Sequence, residues 1–341
     1  MEWKRNKFIL FFLFFAAVLI PVLLPLIGRT SFSPILWLSF FSSGQGGEPE
    51  ILIIKERLGN TLLAFTAGGG LALAGLILQT LFRNPLASPF TLGIAGGASF
   101  GAVATISFIP AALQLSGWFG GTGIVFGSLC GAALAAFLVF LLGRGHDLSS
   151  ETILLAGIGI NFFFSGLILF LQYISEEGRT FRMIRWTMGE ISLTDFRLLF
   201  PFAGIILVAA FLLFLFSREL DILLTGEERA LSLGINLNTF RLFLFLISSL
   251  LVGIIVSICG PIGFVGLMSP HFARLLTGSE HRILIPVSLL FGALFLSLCW
   301  TAARILFYPD ILPVGVLTSL LGGPFFIWLL LSRKNNQTFR N

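Results

Sequence analysis

Charged residues are what this chain has least of. Asp, Glu, Lys and Arg make up 11% of its 341 residues, where a soluble domain carries about 25%. That shortage excludes an ordinary water-soluble globule and points to an integral membrane protein, and the long continuous apolar windows make it all-α. Cysteine is scarce as well: Cys130, Cys259 and Cys299 all fall in apolar stretches, with no C-x-x-C or metal-ligand spacing, so no metal site is expected. The three histidines, His146, His271 and His281, are far apart in sequence. No orienting partner is evident for any of them, which argues against acid–base catalysis. The phosphate-binding pattern G-x-x-x-x-G-K-[S/T] is absent, so the chain itself is not expected to hydrolyse ATP. The net charge of +5 does not imply nucleic acid, because the cations sit beside apolar runs, where they orient a membrane chain. Short alternating strands, the signature of a porin-like barrel, are missing too.

What fills the chain instead is a series of uncharged windows: Phe8–Ile27, Leu58–Phe82, Asn84–Gly143, Thr152–Ser175, Leu198–Ser217, Leu242–Ala273, Ile283–Ala303 and Ile311–Ser332. A helical span needs about 20 apolar residues, so Asn84–Gly143 must divide, at Pro110 and the Gly117–Gly123 cluster. Leu242–Ala273 divides near Gly260–Pro261. About ten helical segments result. The first follows Lys4, Arg5 and Lys7 and is too long for a typical signal-peptide core, so it reads as a retained span. Threading ten segments from a cytoplasmic N-terminus puts 13 cations on the cytoplasmic side and 8 outside, as the positive-inside rule asks. Both termini are then cytoplasmic.

The segment Gly260–Arg274, GPIGFVGLMSPHFAR, carries a proline near each end, Pro261 and Pro270. The interval is about ten residues, roughly 15 Å of helix, half the hydrocarbon thickness. A half-helix near 261–271 leaves backbone groups that lipid cannot satisfy, so it must pack in protein or line a wet cavity. Broken helices of this kind recur in transporters; an ordinary kinked span is the other reading. Gly263, Gly266, Pro270, His271 and Arg274 are its candidate gating residues, with Arg274 placed to complement the helix C-terminal dipole.

Two hydrophilic excursions interrupt the apolar pattern. In residues 218–241, on the cytoplasmic side, Thr225 can cap a helix with Glu227 and Glu228 in its first turn. Ala230, Leu231 and Leu233 follow, and Gly234 is the stop. Two short helices joined at that glycine would form a knob with apolar tips; a solvated linker would fit the same composition. The external excursion, residues 176–197, places Arg179, Arg182 and Arg185 near Trp186. These suit an acidic partner surface or an anionic substrate, or a solvated loop anchored by the tryptophan. In Thr152–Ser175, Asn161, Ser165 and Gln172 are intramembrane polar groups, candidates for a path or for helix–helix hydrogen bonds, and Gly157, Gly159 and Gly166 accompany them.

Several segments in order, GGGLALAGLILQTLFRNPLASPFTLGIAGGASFGA, GEERALSLGI, IGFVGLMSPHFAR with the later His281–Arg282 and Pro286, and LPVGVLTSLLGGPFFIWLL, closely resemble the permease subunits of type II ABC importers. The likeness runs from about Arg57 to Arg333. That family imports iron–siderophore complexes, haem and cobalamin across the cytoplasmic (inner) membrane. The resemblance implies one transmembrane permease domain over residues 1–341 and pairing with a second copy or a relative. It further implies two ATPase subunits that hold the ATP and magnesium, and an external substrate-binding protein. It assigns ATPase coupling to Gly226, Glu227, Glu228, Ala230, Leu231, Leu233 and Gly234. The translocation path goes to the helix of Asn161, Ser165, Gly166 and Gln172. WTMGE resembles the family's Trp-x-x-Gly-Ser, which favours Arg179, Arg182, Arg185 and Trp186 for docking. The sequence departs from the pattern at Gly59-Asn60 for Pro-Arg, Ser88 for Asp, Trp300 for Asp and Ile311 for Glu. A secondary transporter is the alternative; it would normally bury ionisable residues for ion coupling, and the span centres here are almost free of them. A membrane enzyme would need convergent His, Asp or Glu at one depth, and these are absent.

Overall fold

The computed structural model describes residues 2–28, 49–109, 120–143, 150–193, 195–307 and 310–338. Arg29, the 110–119 part of the break in the long window, Arg144, His146 and Arg340 lie outside the described residues. In chain order the helices are α1 (Glu2–Leu23), α2 (Pro49–Leu81), α3 (Ile94–Phe108), α4 (Gly120–Gly143), α5 (Ser150–Ile174), α6 (Glu177–Thr187) and α7 (Phe196–Leu215). They continue with α8 (Ser217–Thr225), α9 (Glu227–Ser232), α10 (Leu237–Cys259), α11 (Val265–Thr277), α12 (His281–Leu306) and α13 (Val314–Thr338). Seven are long and apolar enough to cross a membrane, and α3 and α13 are shorter apolar helices. With α11 they make the ten expected segments among the described residues, and no strand is found among them.

The bundle is organised around α2. Of its apolar window 83% is buried, against 22% for α5 and 28% for α7. Leu63, Leu73, Leu76, Ile77 and Leu78 are wholly enclosed. Glycines let neighbouring backbones touch it. A methyl group at Gly68 would overlap the Gly292 carbonyl of α12, and one at Gly75 would overlap the Gly266 carbonyl of α11. The outward faces of α1, α5 and α7 carry exposed Phe12, Phe162, Phe163, Phe170, Phe200 and Phe211, a surface suited to lipid or to another apolar protein.

Long-range ties mark the two ends of the bundle. At the end bearing α8 and α9, Asn6 donates from Nδ2 to the Thr277 carbonyl at 3.1 Å. At the end bearing α6, Asn60 Oδ1 accepts the Leu193 amide at 2.6 Å. There Arg304 Nη2 also donates to the Ile27 carbonyl at 2.6 Å and lies over the Trp300 ring, 4.8 Å from its centroid. The uncharged residues at two departures from the family pattern thus have contacts of their own: an amide anchors a loop and an indole supports a guanidinium. Ser88 is also used locally, its backbone N–H donating to Thr91 Oγ1 at 2.9 Å.

Three local expectations are corrected. The half-helix does not run from Pro261 to His271. Gly260–Phe264 precedes it as non-helical chain and the helix occupies Val265–Thr277. Its start is marked by Phe264, a non-glycine residue at φ 65°, whose ring fills the space beside Gly322. Pro270 lies inside the helix and does not end it. In the knob, Thr225 is not a cap: it ends α8, its hydroxyl donating to the Ile222 carbonyl at 2.8 Å. The two short helices meet at Gly226, φ 129° and ψ 158°, rather than at Gly234. Gly234 does stop α9, at φ 80°, with its N–H on the Leu231 carbonyl and the Ile235 N–H on that of Ala230. The external excursion, expected as a loop, is for half its length the amphipathic helix α6.

Candidate functional site

The knob is built so that one face is fastened and the other bare. Ala230 is fully buried, and Leu220 and Leu223 of α8 pack inward. Glu227 turns back onto its own bundle, pairing with Arg83 at 2.9 Å just beyond α2 and with Arg241 of α10. It is therefore engaged within the chain. Glu228 is exposed, and Leu231 and Leu233 are each 59% exposed. Gly226 and Gly234 supply the positive-φ turns that bound α9.

Where α8 meets the spans, a polar chain appears that sequence reasoning missed. His281 opens α12 and its side chain is completely buried. Its Nδ1 lies 2.6 Å from Asp221 Oδ1 of α8, and its backbone N–H donates to the same oxygen at 3.0 Å. Nε2 lies 2.8 Å from the Thr80 hydroxyl of α2. The expectation that no histidine has an orienting partner is thus overturned for His281. Thr80 is itself fully buried and only the Asp221 carboxylate reaches the surface, so the imidazole is enclosed and the geometry is that of a tether. Sixty residues separate the histidine from its carboxylate, and no local pattern signals the pairing.

On the half-helix, Pro270 has no N–H, which frees the Gly266 carbonyl one turn earlier. Gln79 of α2 answers it. Its Nε2 points at Gly266 O at 3.5 Å and donates to Leu267 O at 3.2 Å, while Oε1 accepts from Arg274 Nη1 at 2.7 Å. One buried amide thus satisfies broken-helix backbone where lipid could not and holds the cation of the last turn. Of the expected residues, Gly266 and Arg274 join this arrangement, and Pro270 creates the need for it. His271 packs edge-on to Phe325 of α13, centroids 5.7 Å apart. A methyl at Gly263 would meet nothing closer than 3.7 Å, so packing does not demand glycine there.

On α5 the polar residues share a half-buried stripe. Asn161 lies so close over α3 that a methyl at Gly96 would overlap its Oδ1. Ser165 and Gln172 are half-buried along the same side, whereas Gly166 is exposed with open space before it. At α6 the expected docking set splits. Arg179 donates from Nη1 to the Ser107 carbonyl, fixing α6 to the end of α3, and Trp186 packs against the buried core. Arg182 and Arg185 are exposed, the latter 3.0 Å from Glu190. No group of His, Cys, Asp and Glu suited to holding a metal ion occurs among the described residues.

The sequence pattern of the FecCD transport family matches residues 9–332. The chain is 38% identical over 288 residues to the hemin transport system permease protein of Yersinia pestis, covering 84% of each. It is 34% identical over 287 residues to the Fe(3+) dicitrate transport system permease protein of Escherichia coli, again 84% of each. Among solved structures it resembles a transporter described as being of the metal-chelate ABC type, in an inward-facing conformation. The TM-score is 0.82 and the identity 32%, covering 96% of this chain and 99% of that one. The family pattern over residues 9–332, with a helical bundle alike over nearly its full length, places this multi-pass membrane chain in the FecCD transport family of ABC transporter permeases.

Proposed function

We propose that the chain is the membrane-spanning subunit of an ATP-driven importer for a chelate of the iron–siderophore, haem or cobalamin type. The observation that carries the reading is α9, a helix of six residues held by Ala230 and Glu227 that leaves Leu231 and Leu233 bare. Fixed apolar tips with a charged rim fit a groove in another protein, and the family relation makes that protein an ATPase. The α8–α9 end then faces the cytoplasm, in line with the excess of cations there, and both termini lie on that side of the inner membrane. A second permease copy or relative would lie against exposed apolar helices, with the path between the two along α5. A substrate-binding protein would sit on the exposed face of α6 at Arg182 and Arg185. Nucleotide-driven closure of the ATPases would move α9 and shift the bundle between outward- and inward-open states, each favoured only by its own contacts.

Reconstitution tests this directly. The chain is placed in proteoliposomes with its partner ATPase and binding protein, and uptake of a ferric siderophore, hemin and cobalamin is measured. Uptake of one of them that requires ATP is expected. Uphill transport by the chain alone on a proton or sodium gradient would overturn the proposal.

A further inference from the structure

We infer that Asp221, His281 and Thr80 form the rigid link through which movement of the α8–α9 knob reaches the inner spans, so that all three are positioning residues for transport. The inference rests on the ATP-driven reading above. A carboxylate has no proton to give, so the short contact to Asp221 requires His281 Nδ1 to carry the hydrogen. In the neutral ring Nε2 then accepts from the Thr80 hydroxyl. One imidazole, wholly buried, thereby joins three helices: α8 through its carboxylate, α12 at its first residue and α2 in its last turn. The same carboxylate oxygen holds the His281 backbone N–H, an amide that α12 itself cannot satisfy at its N-terminus.

The other ties between the knob and the spans are of a different kind. Leu220 and Leu223 make apolar contacts, which are non-directional and can slide. The Glu227 pairs are open to solvent at both ends, with Arg83 38% and Arg241 24% exposed, and exposed pairs contribute little. In the Asp221–His281–Thr80 chain the carboxylate is partly exposed but the imidazole and the hydroxyl are wholly buried, and its contacts are directional and short. A displacement of α8 must therefore carry the start of α12 and the end of α2 with it. Those two helices meet backbone to backbone at Gly68 and Gly292, and α2 grips α11 at Gly75 and through Gln79. The displacement thus passes from α8 to the half-helix through directional and backbone contacts.

Asp221→Ala and Thr80→Val test the link in the full complex with its ATPase in proteoliposomes. Assembly and ATP hydrolysis are expected to persist, while substrate carried per ATP hydrolysed falls about tenfold, as loss of a buried charge-assisted hydrogen bond implies. A merely structural role would lower the melting temperature or the yield of complex and leave that ratio at the parental value, and this result would overturn the inference. A second measurement needs no ATPase: amide hydrogen exchange across residues 217–225 of the chain in lipid nanodiscs. Exchange is expected to quicken in Asp221→Ala; unchanged exchange would show that no tether exists. Should the parental complex carry nothing with ATP, the functional reading fails and the exchange comparison alone decides the link.

Discussion

Gln79 carries more of the architecture than any residue named from the sequence. Its amide serves two carbonyls of α11 and one guanidinium. Gln79→Leu keeps the volume and strands the Gly266 carbonyl and the guanidinium, so unfolding in detergent is expected to become easier by about 1–3 kcal/mol for the unsatisfied groups, read as a lower melting temperature. Gly75→Ala is expected to be as harmful, because the new methyl meets the Gly266 carbonyl, which is backbone and cannot move aside. Gly159→Ala, with nothing within 4 Å, should leave the melting temperature unchanged. The glycine richness of α2 was legible in the sequence, since close helix approach needs small residues. Gln79 was not: its partners lie 187 to 195 positions away, and a lone polar residue in an apolar window carries no sign of whom it serves. His281 escaped for the same reason.

At the scale of elements, the knob makes the sharpest prediction. Leu231→Asp together with Leu233→Asp changes two exposed tips and no buried contact. The permease is expected to keep its melting temperature and to lose co-purification with the ATPase; retained co-purification would remove these leucines from the interface. Charge reversal at Glu228 should weaken assembly by itself. Reversal at Glu227 disturbs pairs with Arg83 and Arg241 inside the chain and does not report on the partner. The sequence located α9 and its stop at Gly234 because glycine at positive φ is a strong signal. It misplaced the joint, since Thr225 suits a helix end as well as a helix start. It also misplaced the opening of α11. A proline pair looks like two helix ends, yet Pro270 is accommodated once a neighbouring side chain answers the carbonyl it frees.

For the whole molecule, the number of helical segments among the described residues was readable, because bilayer thickness fixes span length. Which spans are central was not readable from hydropathy: α2 and α5 are both apolar, yet one is enclosed and the other mostly bare. α1 is as bare as α5, but only α5 carries the polar stripe of Asn161, Ser165 and Gln172, so the proposed second copy is expected against α5. With the exposed Cys130 replaced by serine, single cysteines at Ile158, Phe162 or Phe170 of α5 are expected to give an oxidised dimer in membranes. A cysteine at Phe12 of α1 should give none. Crosslinking from α1 alone would move the interface, and the path with it, to the other side of the bundle.

The ring of Phe264 occupies the room left by the missing side chain of Gly322, while its own backbone is held at φ 65°. The peg sits at the start of α11 and the socket on the neighbouring α13, and neither can change by itself. A bulky residue at 264 obliges a bare position at 322. Were the socket filled, the peg would be expelled and the chain ahead of α11 freed to fall into the ordinary helical basin, about 1–3 kcal/mol lower for a side-chain-bearing residue. The break in the span is therefore kept open from outside, by a gap in a neighbouring helix.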